Sequence, residues 1–253
     1  MISNWIKPDW PAPSSVQAIV TTRVLTKAVN VNDATGYDHF NLATHVGDVA
    51  QSVSTNRQIL AKELNLDSQR LCWLNQVHGT TVVDAGSVLE SVPDADGSYT
   101  EEHSLACIVM TADCLPVFLC TEDGSKVAAI HAGWRGLHKG ILTEAVSKFS
   151  QTQQIFAWLG PAIGSNNFEV GADVLNAFIT SDERNEHAFE PSSKPNKWIA
   201  NIYQLARHQL ETSGVTDIYG GDFCTYSDSQ RFYSYRRDGA QSGRMASLIY
   251  KTK

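Results

Sequence analysis

The chain has 253 residues, of which 42% are hydrophobic and 19% charged, and its formal net charge is -7. This length is enough to bury a substantial core, and the composition is that of an ordinary globular protein. A nucleic-acid partner is not expected, because Arg236 and Arg237 form the only adjacent basic pair and no basic stripe exists to neutralise phosphates.

Neither a secretory signal nor a membrane span is predicted. The first 15 residues lack an uninterrupted apolar stretch. The longest apolar region, 105–120, is interrupted by Asp113 and Pro116, so no membrane partner is expected. No internal repeat or linker divides the chain, which predicts a single domain over 1–253.

The five cysteines are an odd number, which does not suit a disulfide framework. Three of them, Cys72, Cys107 and Cys120, lie in strand-like apolar surroundings and are interpreted as small core residues. Reduced thiols of this kind are typical of a cytoplasmic protein, so we expect that location.

Runs rich in valine, isoleucine and aromatic residues, punctuated by Gly, Asp or Pro, predict strands. In chain order these are 16–24, 70–77, 80–85, 104–111, 115–121 and 126–132, with 156–164 as a strand that ends in a loop. The three strands between 104 and 132 have short connections, which suit neighbours in one antiparallel or mixed sheet.

Apolar residues at helical spacing predict helices over 51–65, 137–149, 172–180 and 198–211. The segments 29–38 and 192–197 are predicted to be loops. Because strands and helices are interspersed without strict alternation, we expect a mixed α/β fold with helices covering sheets.

Three short stretches each place one metal ligand or nucleophile at the edge of an apolar strand. They are QVHG (76–79), ADCLP (112–116) and IHAGWRG (130–136), and the residues are His78, Cys114 and His131. Side chains at the ends of neighbouring strands can converge on one point. Two imidazoles and one thiolate suit Zn²⁺, and three protein ligands leave a fourth position for water or substrate, as in a catalytic site.

The motifs of several other enzyme classes are absent from the sequence. It contains no G-x-x-x-x-G-K-[ST] loop, no G-x-G-x-x-G turn and no H-E-x-x-H helix. The pattern of the zinc nucleobase deaminases is also missing. Nucleotide triphosphate, dinucleotide and zincin-type sites are therefore not indicated.

A set of motifs along nearly the whole chain resembles the YfiH family, also called laccase-domain proteins, polyphenol oxidases or purine nucleoside phosphorylase-like proteins. The motifs are TTR (21–23), NLATHVGD (41–48), NQVHGTTV, TADCLPV, HAGWRG, GPAIG and the C-terminal segment from DFCTYSD to SLIY. The resemblance implies one layered α/β/β/α domain, distantly similar to the catalytic domain of cytotoxic necrotizing factor. It also implies that His78, Cys114 and His131 bind zinc.

The same resemblance implies phosphorolysis of adenosine, inosine and S-methyl-5'-thioadenosine, with phosphate as the second substrate, and deamination of adenosine. A copper-dependent polyphenol oxidase is an alternative. However, a four-copper laccase needs H-x-H ligand pairs, which this chain lacks, so copper would more simply replace zinc at the same ligands. A second alternative is a Cys-His hydrolase or amidase that edits peptidoglycan precursors, with Cys114 as nucleophile and His131 or His78 as base.

Further residues of the matched motifs are candidates for substrate contacts. Arg135 could clamp an anion through its guanidinium fork, and Trp134 could stack on a purine. Both could equally hold the turn. The other candidate pocket residues are Asn41, His45 and Gln76. Arg23, Asp222, Arg236 and Arg244 could line the pocket as well, although the C-terminal arginines could instead pair with carboxylates of the domain. Cys224 is interpreted as structural.

One segment departs from the family pattern. Where the family has a Gly-Gly-x-Ser turn after TTR, this chain continues VLTKAVNVNDATGYD (24–38). The missing glycine pair affects the expected rim of the pocket and leaves the metal ligands unaffected. The oligomeric state is not indicated by the sequence.

Overall fold

Two mixed β-sheets form the centre of the structure, a computed structural model that describes residues 4–25, 37, 40–150 and 152–253. The first sheet has four strands in the order β1-β13-β5-β2. These strands are β1 (Val16–Val20), β2 (Leu71–Cys72), β5 (Ala106–Thr111) and β13 (Met245–Lys251). Strand β13 is antiparallel to both β1 and β5, so the end of the chain lies in the middle of this sheet.

The second sheet has six strands in the order β12-β8-β6-β7-β4-β3. Its strands are β3 (Val82–Asp84), β4 (Gly97–Thr100), β6 (Leu115–Thr121), β7 (Val127–Ala132), β8 (Ile155–Leu159) and β12 (Asp217–Gly220). The central strands β6 and β7 are buried at every position, since both faces of the sheet are covered. They form an antiparallel pair, with Leu115 opposite Ala132 and Pro116 opposite His131.

Apolar side chains from the facing surfaces of the two sheets form a shared core. Phe118 of β6, for example, lies in this core with Val109 of β5 and Met245 of β13. Phe118 is fully buried and stacks on Trp158, with ring centroids 5.6 Å apart. The two sheets therefore pack face to face, as β-sheets with apolar inner faces do.

Helices cover the outer faces of both sheets. The α-helices of the described residues are α1 (Ala50–Leu64), α2 (Trp134–His138), α3 (Ile141–Val146), α4 (Ala172–Ser181), α5 (Ile202–Thr212) and the short α6 (Tyr235–Asp238), which buries no residue. Helix α1 packs Leu60 against the four-stranded sheet. Helices α2, α3 and α5 bury apolar residues such as Leu137, Leu142 and Leu205 against the six-stranded sheet. The resulting order is the layered α/β/β/α arrangement expected from the sequence.

A small third sheet extends the structure beside α4 and α5. It consists of β9 (Glu169–Gly171), β10 (Phe189–Pro191) and β11 (Lys197–Ala200), with β11 in the centre. Among the helices in the described ranges, none is long and apolar enough to cross a membrane.

The main strand predictions are confirmed, with one correction in topology. Strands were expected at 16–24, 104–111, 115–121, 126–132 and 156–164, and each range contains one. However, the three strands between 104 and 132 do not lie in one sheet, because the chain passes from the first sheet to the second between β5 and β6. The ranges 70–77 and 80–85 hold only two and three strand residues. Strands β4 and β9 to β13 were not predicted.

Two helix predictions need correction. The range 137–149 covers only the end of α2 and the whole of α3, because Gly140 has a φ of 93° and separates the two helices. The range 198–211 begins in β11, and α5 starts only after Asn201, whose side chain accepts a hydrogen bond from the Gln204 amide as an N-cap. Helix α1 matches its expected range within one residue, and 192–196 is a loop. The expected loop 29–38 lies outside the described residues except for Tyr37.

Substitution Phe118→Ala tests the packing between the sheets. Removing a fully buried aromatic ring leaves a cavity in a core that cannot close over it, so we expect the free energy of unfolding to fall by about 3–5 kcal/mol. Urea denaturation measures this change. Val92→Ala serves as the control, because Val92 is 61% exposed and such changes usually stay within about 0.5 kcal/mol. A loss below about 1 kcal/mol for Phe118→Ala would contradict this packing.

Candidate metal centre

Three side chains from separate segments meet where the two sheets are joined. His78 follows β2 on a loop, Cys114 directly precedes β6, and His131 belongs to β7. Their ligand atoms all lie within 4.8 Å of one another. The Cys114 Sγ is 3.8 Å from the His78 Nε2, and the two imidazole rings meet edge to face. The structure thus brings together the three residues that the strand-edge pattern singled out.

The carboxylate of Asp96, which is fully buried, holds both histidines in place. One of its oxygens accepts hydrogen bonds from the His131 Nδ1, at 2.7 Å, and from the His78 amide, at 3.0 Å. The other accepts bonds from the amides of Val77 and Gly79. Since Nδ1 of His131 donates to this carboxylate, its Nε2 is left as the ligand nitrogen. The same bonds fix the loop in which His78 adopts a φ of 58°.

Cys114 is positioned by the turn that carries the chain between the sheets. Asp113 has a φ of 84°, which is uncommon for a residue with a side chain. Its carboxylate accepts hydrogen bonds from the hydroxyls of Thr225 and Ser234 and from the amide of Arg236. These bonds tie the turn to the C-terminal segment and hold the unusual backbone conformation.

Gly133 gives the three side chains room to converge. A Cβ atom at this position would lie 2.9 Å from His78 Cδ2, 3.2 Å from Cys114 Sγ and 3.4 Å from His131 Cε1. Any side chain here would push against all three candidate ligands. The first glycine of the HAGWRG motif, Gly133, is therefore required by the close approach of the backbone to the centre.

Electrostatics favour the thiolate form of Cys114. Burial alone would raise the pKa of this thiol, but the adjacent His131 and His78 outweigh it and lower the pKa to about 6. Burial likewise acts to lower the pKa of His131, and it is overcome by the charges and hydrogen bonds of Cys114 and Asp96, which raise that pKa. The thiolate is the form that binds metals and attacks electrophiles.

The donor set fits a metal ion of the zinc type. Two imidazole nitrogens and one thiolate are the ligands that Zn²⁺ prefers, and three protein ligands leave one tetrahedral position for a small molecule. His131, which the Asp96 carboxylate orients, has the carboxylate–histidine arrangement common around bound zinc. Within the described ranges, these three residues are the only cluster of His, Cys, Asp or Glu that could hold a metal.

A cavity of about 440 Å³ opens onto this centre. Its volume lies in the range of pockets that bind small molecules. The walls combine apolar and charged side chains, and the lining residues besides the three candidate ligands include His45, Gln76, Thr111, Trp134, Arg135, Ile163, Phe168, Ile202, Tyr235, Arg236 and Arg244.

Four of the five predicted substrate-contact residues line this cavity: His45, Gln76, Trp134 and Arg135. His45 lies at the rim with part of its side chain exposed. The pKa of His45 is lowered by its partial burial and by the positive charges of Arg244 and Arg57. The Arg135 guanidinium lies over the Trp134 ring, 4.4 Å from its centroid. The Gln76 amide hydrogen-bonds with both the N–H and the C=O of Met110, so its polar atoms are engaged by the backbone.

The structure places Asn41 away from the cavity. Its side chain is fully buried and makes hydrogen bonds to the backbone of Ala43, the carboxylate of Asp48 and the amide of Arg244. Asn41 therefore organises its own loop and holds the backbone at Arg244, and its polar atoms are not presented to a ligand.

The remaining residues singled out from the motifs lie in three places. Arg236 and Arg244 line the metal-centre cavity, and within the described part of the chain neither pairs with a carboxylate. Asp222 and Cys224 line a separate cavity of about 450 Å³. The Arg23 guanidinium donates to the Ser229 carbonyl.

Two residues of the centre were not found from the sequence: Asp96 and Asp113. Asp96 lies in the segment PDADG, which is typical of a turn, and Asp113 was considered only as an interruption of an apolar run. The only signal in the sequence was an acidic residue next to buried strands. This signal was not sufficient, because a buried carboxylate needs hydrogen-bond donors that only the folded chain supplies.

Substitution Asp96→Asn tests how the histidines are held. The asparagine amide keeps one accepting oxygen and replaces the other by an NH2 donor. It therefore loses either the bonds from His131 and His78 or the bonds from Val77 and Gly79, and we expect zinc affinity to fall about 10- to 100-fold. Competition with a chromophoric chelator measures this affinity. Asp94→Asn is the matched control, since Asp94 is exposed and bonds only to Asn75 among the described residues. Equal affinity in both variants would refute a positioning role for Asp96.

Comparisons with known proteins agree with this geometry. Residues 19–252 match the family model described as multi-copper polyphenol oxidoreductase laccase. The chain is 46% identical over 250 residues to a purine nucleoside phosphorylase of Pseudomonas aeruginosa, covering 98% of this chain and 99% of that one. It is 45% identical over 250 residues to the purine nucleoside phosphorylase YfiH of Escherichia coli, with the same coverage.

Solved structures share the fold. A Neisseria meningitidis protein of the DUF152 family superposes with a TM-score of 0.91 at 43% identity, covering 99% of this chain and 100% of that one. YlmD of Geobacillus stearothermophilus superposes with a TM-score of 0.88 at 26% identity, covering 100% and 98%. With its His-Cys-His centre and matching motifs along its length, the chain belongs to the YfiH family of laccase-domain proteins.

Proposed function

We propose that this protein is a zinc-dependent purine nucleoside phosphorylase that acts on adenosine, inosine and S-methyl-5'-thioadenosine. The observation that carries the proposal is the cavity itself, in which the His-Cys-His group meets both apolar walls and arginines without carboxylate partners among the described residues. A nucleoside and phosphate need these two kinds of surface together. Relatives that are 44–46% identical bear the name purine nucleoside phosphorylase.

The reaction exchanges one bond at the anomeric carbon. A phosphate oxygen bonds to C1' of the nucleoside while the bond from C1' to N9 of the purine breaks. The electron pair of the broken bond stays on N9, and the departing purine takes the proton that phosphate gives up. The products are a free purine and ribose 1-phosphate, and no oxidant or reductant is needed.

The apolar wall is proposed to bind the purine. Trp134 offers the face of an indole ring, and Phe168 and Ile202 add buried apolar surface on the same cavity. Stacking and apolar contact hold a planar base without specifying its exocyclic groups. This accounts for a site that accepts both adenosine and inosine.

The candidate ligands His78, Cys114 and His131 would hold the zinc ion. When bound, zinc supplies a Lewis acid at an open coordination position, where it can polarise a substrate oxygen or lower the pKa of water. The role of Asp96 is to keep the His131 Nε2 and the His78 loop in the geometry that the ion requires. We further propose that the same site deaminates adenosine, with water replacing the C6 amino group and ammonia leaving.

We propose that the protein works as one domain in the cytoplasm. All five cysteines are free thiols. Cys72, Cys107 and Cys120 are buried between or within the sheets, and burial raises the pKa of each, so they are inert core residues. An abundance of unpaired thiols suits a reducing compartment. Nucleic acid is not among the proposed partners.

The test is product analysis with purified protein loaded with zinc. We expect adenosine or inosine with phosphate to yield the free base and ribose 1-phosphate, and adenosine alone to yield inosine. Cys114→Ala removes a ligand, so zinc binding and both activities should be lost. Cys224→Ala is the matched control, because this thiol lies in the other cavity, and it should retain zinc and activity.

Two outcomes would contradict the proposal. If the zinc-loaded protein forms neither product, the purine assignment is wrong. If copper-loaded protein oxidises phenols while zinc-loaded protein is inactive on nucleosides, the oxidase alternative replaces it. Copper at these ligands is chemically reasonable, because affinity for such donors rises toward Cu²⁺.

One observation favours a second candidate function. The site has the arrangement of a thiol (Cys114), a base (His131) and a carboxylate that orients the base (Asp96). The pKa of the thiol is also lowered. A metal-free hydrolase or amidase could use this arrangement. Protein treated with a chelator discriminates the two: amide hydrolysis that survives zinc removal and is blocked by alkylation of Cys114 would support the hydrolase.

A further inference from the structure

Arg244 is held rigidly beside the candidate metal centre. It directly precedes β13 and is half-buried in the cavity wall. Its amide donates to the Asn41 Oδ1 at 3.0 Å, and its Nη1 donates to the carbonyls of Ser242 and Gly243 at 2.6 and 3.0 Å. Backbone and guanidinium are therefore both fixed before any ligand arrives.

The Arg244 guanidinium has no carboxylate partner among the described residues, and it lies 5.8 Å from the centroid of the Tyr235 ring. In the described part of the chain it takes part in no ion pair. The nearby carboxylate of Asp113 is already engaged by Thr225, Ser234 and the Arg236 amide. Arg244 lines the same cavity as the three candidate ligands. Burial lowers the pKa of Arg244, and the negative charges of Cys114 and Asp113 act in the opposite direction. A half-buried cation without a carboxylate partner is unfavourable unless a ligand supplies the negative charge.

Arg237, in the same C-terminal segment, has a structural role and serves as a comparison for Arg244. Its Nη1 donates to the carbonyls of Thr225 and Tyr226, its Nη2 to Phe232 and Asp238, and its Nε to Asp238. Every nitrogen is thus engaged and the charge is paired. Arg244, in contrast, uses only Nη1 within the described residues.

The donors that Arg244 retains form one edge of the guanidinium. Nε and Nη2 point their N–H groups in parallel, which is the geometry that grips two oxygens of a phosphate at once. Arg135 and Arg236 also line the cavity, but both are exposed. Of the three, only Arg244 combines partial burial, a fixed position and a free bidentate edge.

We propose that Arg244 binds the phosphate group that takes part in the reaction, as the bidentate anion site of this cavity. The inference rests on the proposed phosphorylase function and deepens it. Phosphate could arrive as the free ion or as part of a nucleotide. We favour the free ion, because Arg244 lines the same cavity of about 440 Å³ as the candidate metal ligands, and the sugar and purine of the nucleoside must fit there as well.

Equilibrium binding of inorganic phosphate to zinc-loaded protein tests the proposal. Isothermal titration without nucleoside, at an ionic strength held constant with sodium chloride, is compared for the wild type, Arg244→Gln, Arg244→Lys and Arg184→Gln. We expect phosphate affinity to fall about 10- to 100-fold in Arg244→Gln, since a charge-assisted bidentate contact is lost. Lysine keeps the charge without the fork, so Arg244→Lys should lie between. Arg184 is exposed and pairs with Asp182, and its variant should bind phosphate like the wild type.

Kinetics provide the second readout. In Arg244→Gln, KM for phosphate should rise by a similar factor while KM for the nucleoside stays nearly unchanged. Unchanged phosphate affinity in a folded Arg244→Gln, with melting temperature and zinc content as the checks, would overturn the proposal. Wild-type protein that binds a nucleoside 5'-monophosphate but not inorganic phosphate would also overturn it.

The failure of this inference can be told apart from failure of the proposed function. Arg244-dependent phosphate binding without nucleoside cleavage would leave the anion site supported and refute the phosphorylase. Nucleoside phosphorolysis that persists in Arg244→Gln with an unchanged KM for phosphate would refute the anion site and support the phosphorylase.

Discussion

The hydrogen bonds of one buried carboxylate hold the candidate metal centre together. Asp96 lies between the loop of His78 and the strand of His131, and it binds the first through backbone amides and the second through Nδ1. These are two different kinds of donor, so a single side chain sets both the path of a loop and the orientation of a ring. A carboxylate with no exposed surface persists only because each oxygen accepts such bonds. The two histidines are consequently coupled, and one cannot move without weakening the hydrogen bonds that hold the other.

The third ligand depends on topology. The chain leaves the four-stranded sheet after Thr111 and enters the six-stranded sheet at Leu115, and Cys114 lies on this crossing. Both β5 and β6 are interior strands, so the chain crosses between the sheets at the ends of these strands, where Leu115 pairs with Ala132 at the end of β7. Asp113 stabilises the turn through bonds to the C-terminal segment, and that segment in turn supplies Arg236 to the cavity wall. The fold therefore places a thiol, two imidazoles and cationic side chains together by a single change of sheet.

The sequence predicted the parts of the centre that depend on local pattern. His78, Cys114 and His131 stand out because a polar ligand at the edge of an apolar strand is visible in the residue order. Asp96 was missed and Asn41 was assigned to the pocket, because hydrogen bonds from distant segments decide the role of each. Asn41 binds the amide of Arg244, about two hundred positions away in the chain. For the same reason the alternation of sheets was missed: β5 and β6 are adjacent in sequence, and only their pairing with β13 and β7 shows that they separate.

A thiolate at Cys114 would serve either a metal or a nucleophilic mechanism, so its protonation state does not decide between them. The number of imidazoles at the site is the feature that favours a metal mechanism over a nucleophilic one. A thiol hydrolase needs one base beside the sulfur, and His131 with Asp96 already supplies it. His78 is not needed as a second base, yet its loop is fixed by the same carboxylate, and a Cβ at position 133 would meet both rings and the sulfur at once. One metal ion shared by all three donor atoms is a direct physical reason for holding a second imidazole with a left-handed backbone and a glycine constraint. This geometry, together with a cavity whose arginines pair with no carboxylate in the described ranges, supports the proposed metal centre acting on an anionic co-substrate.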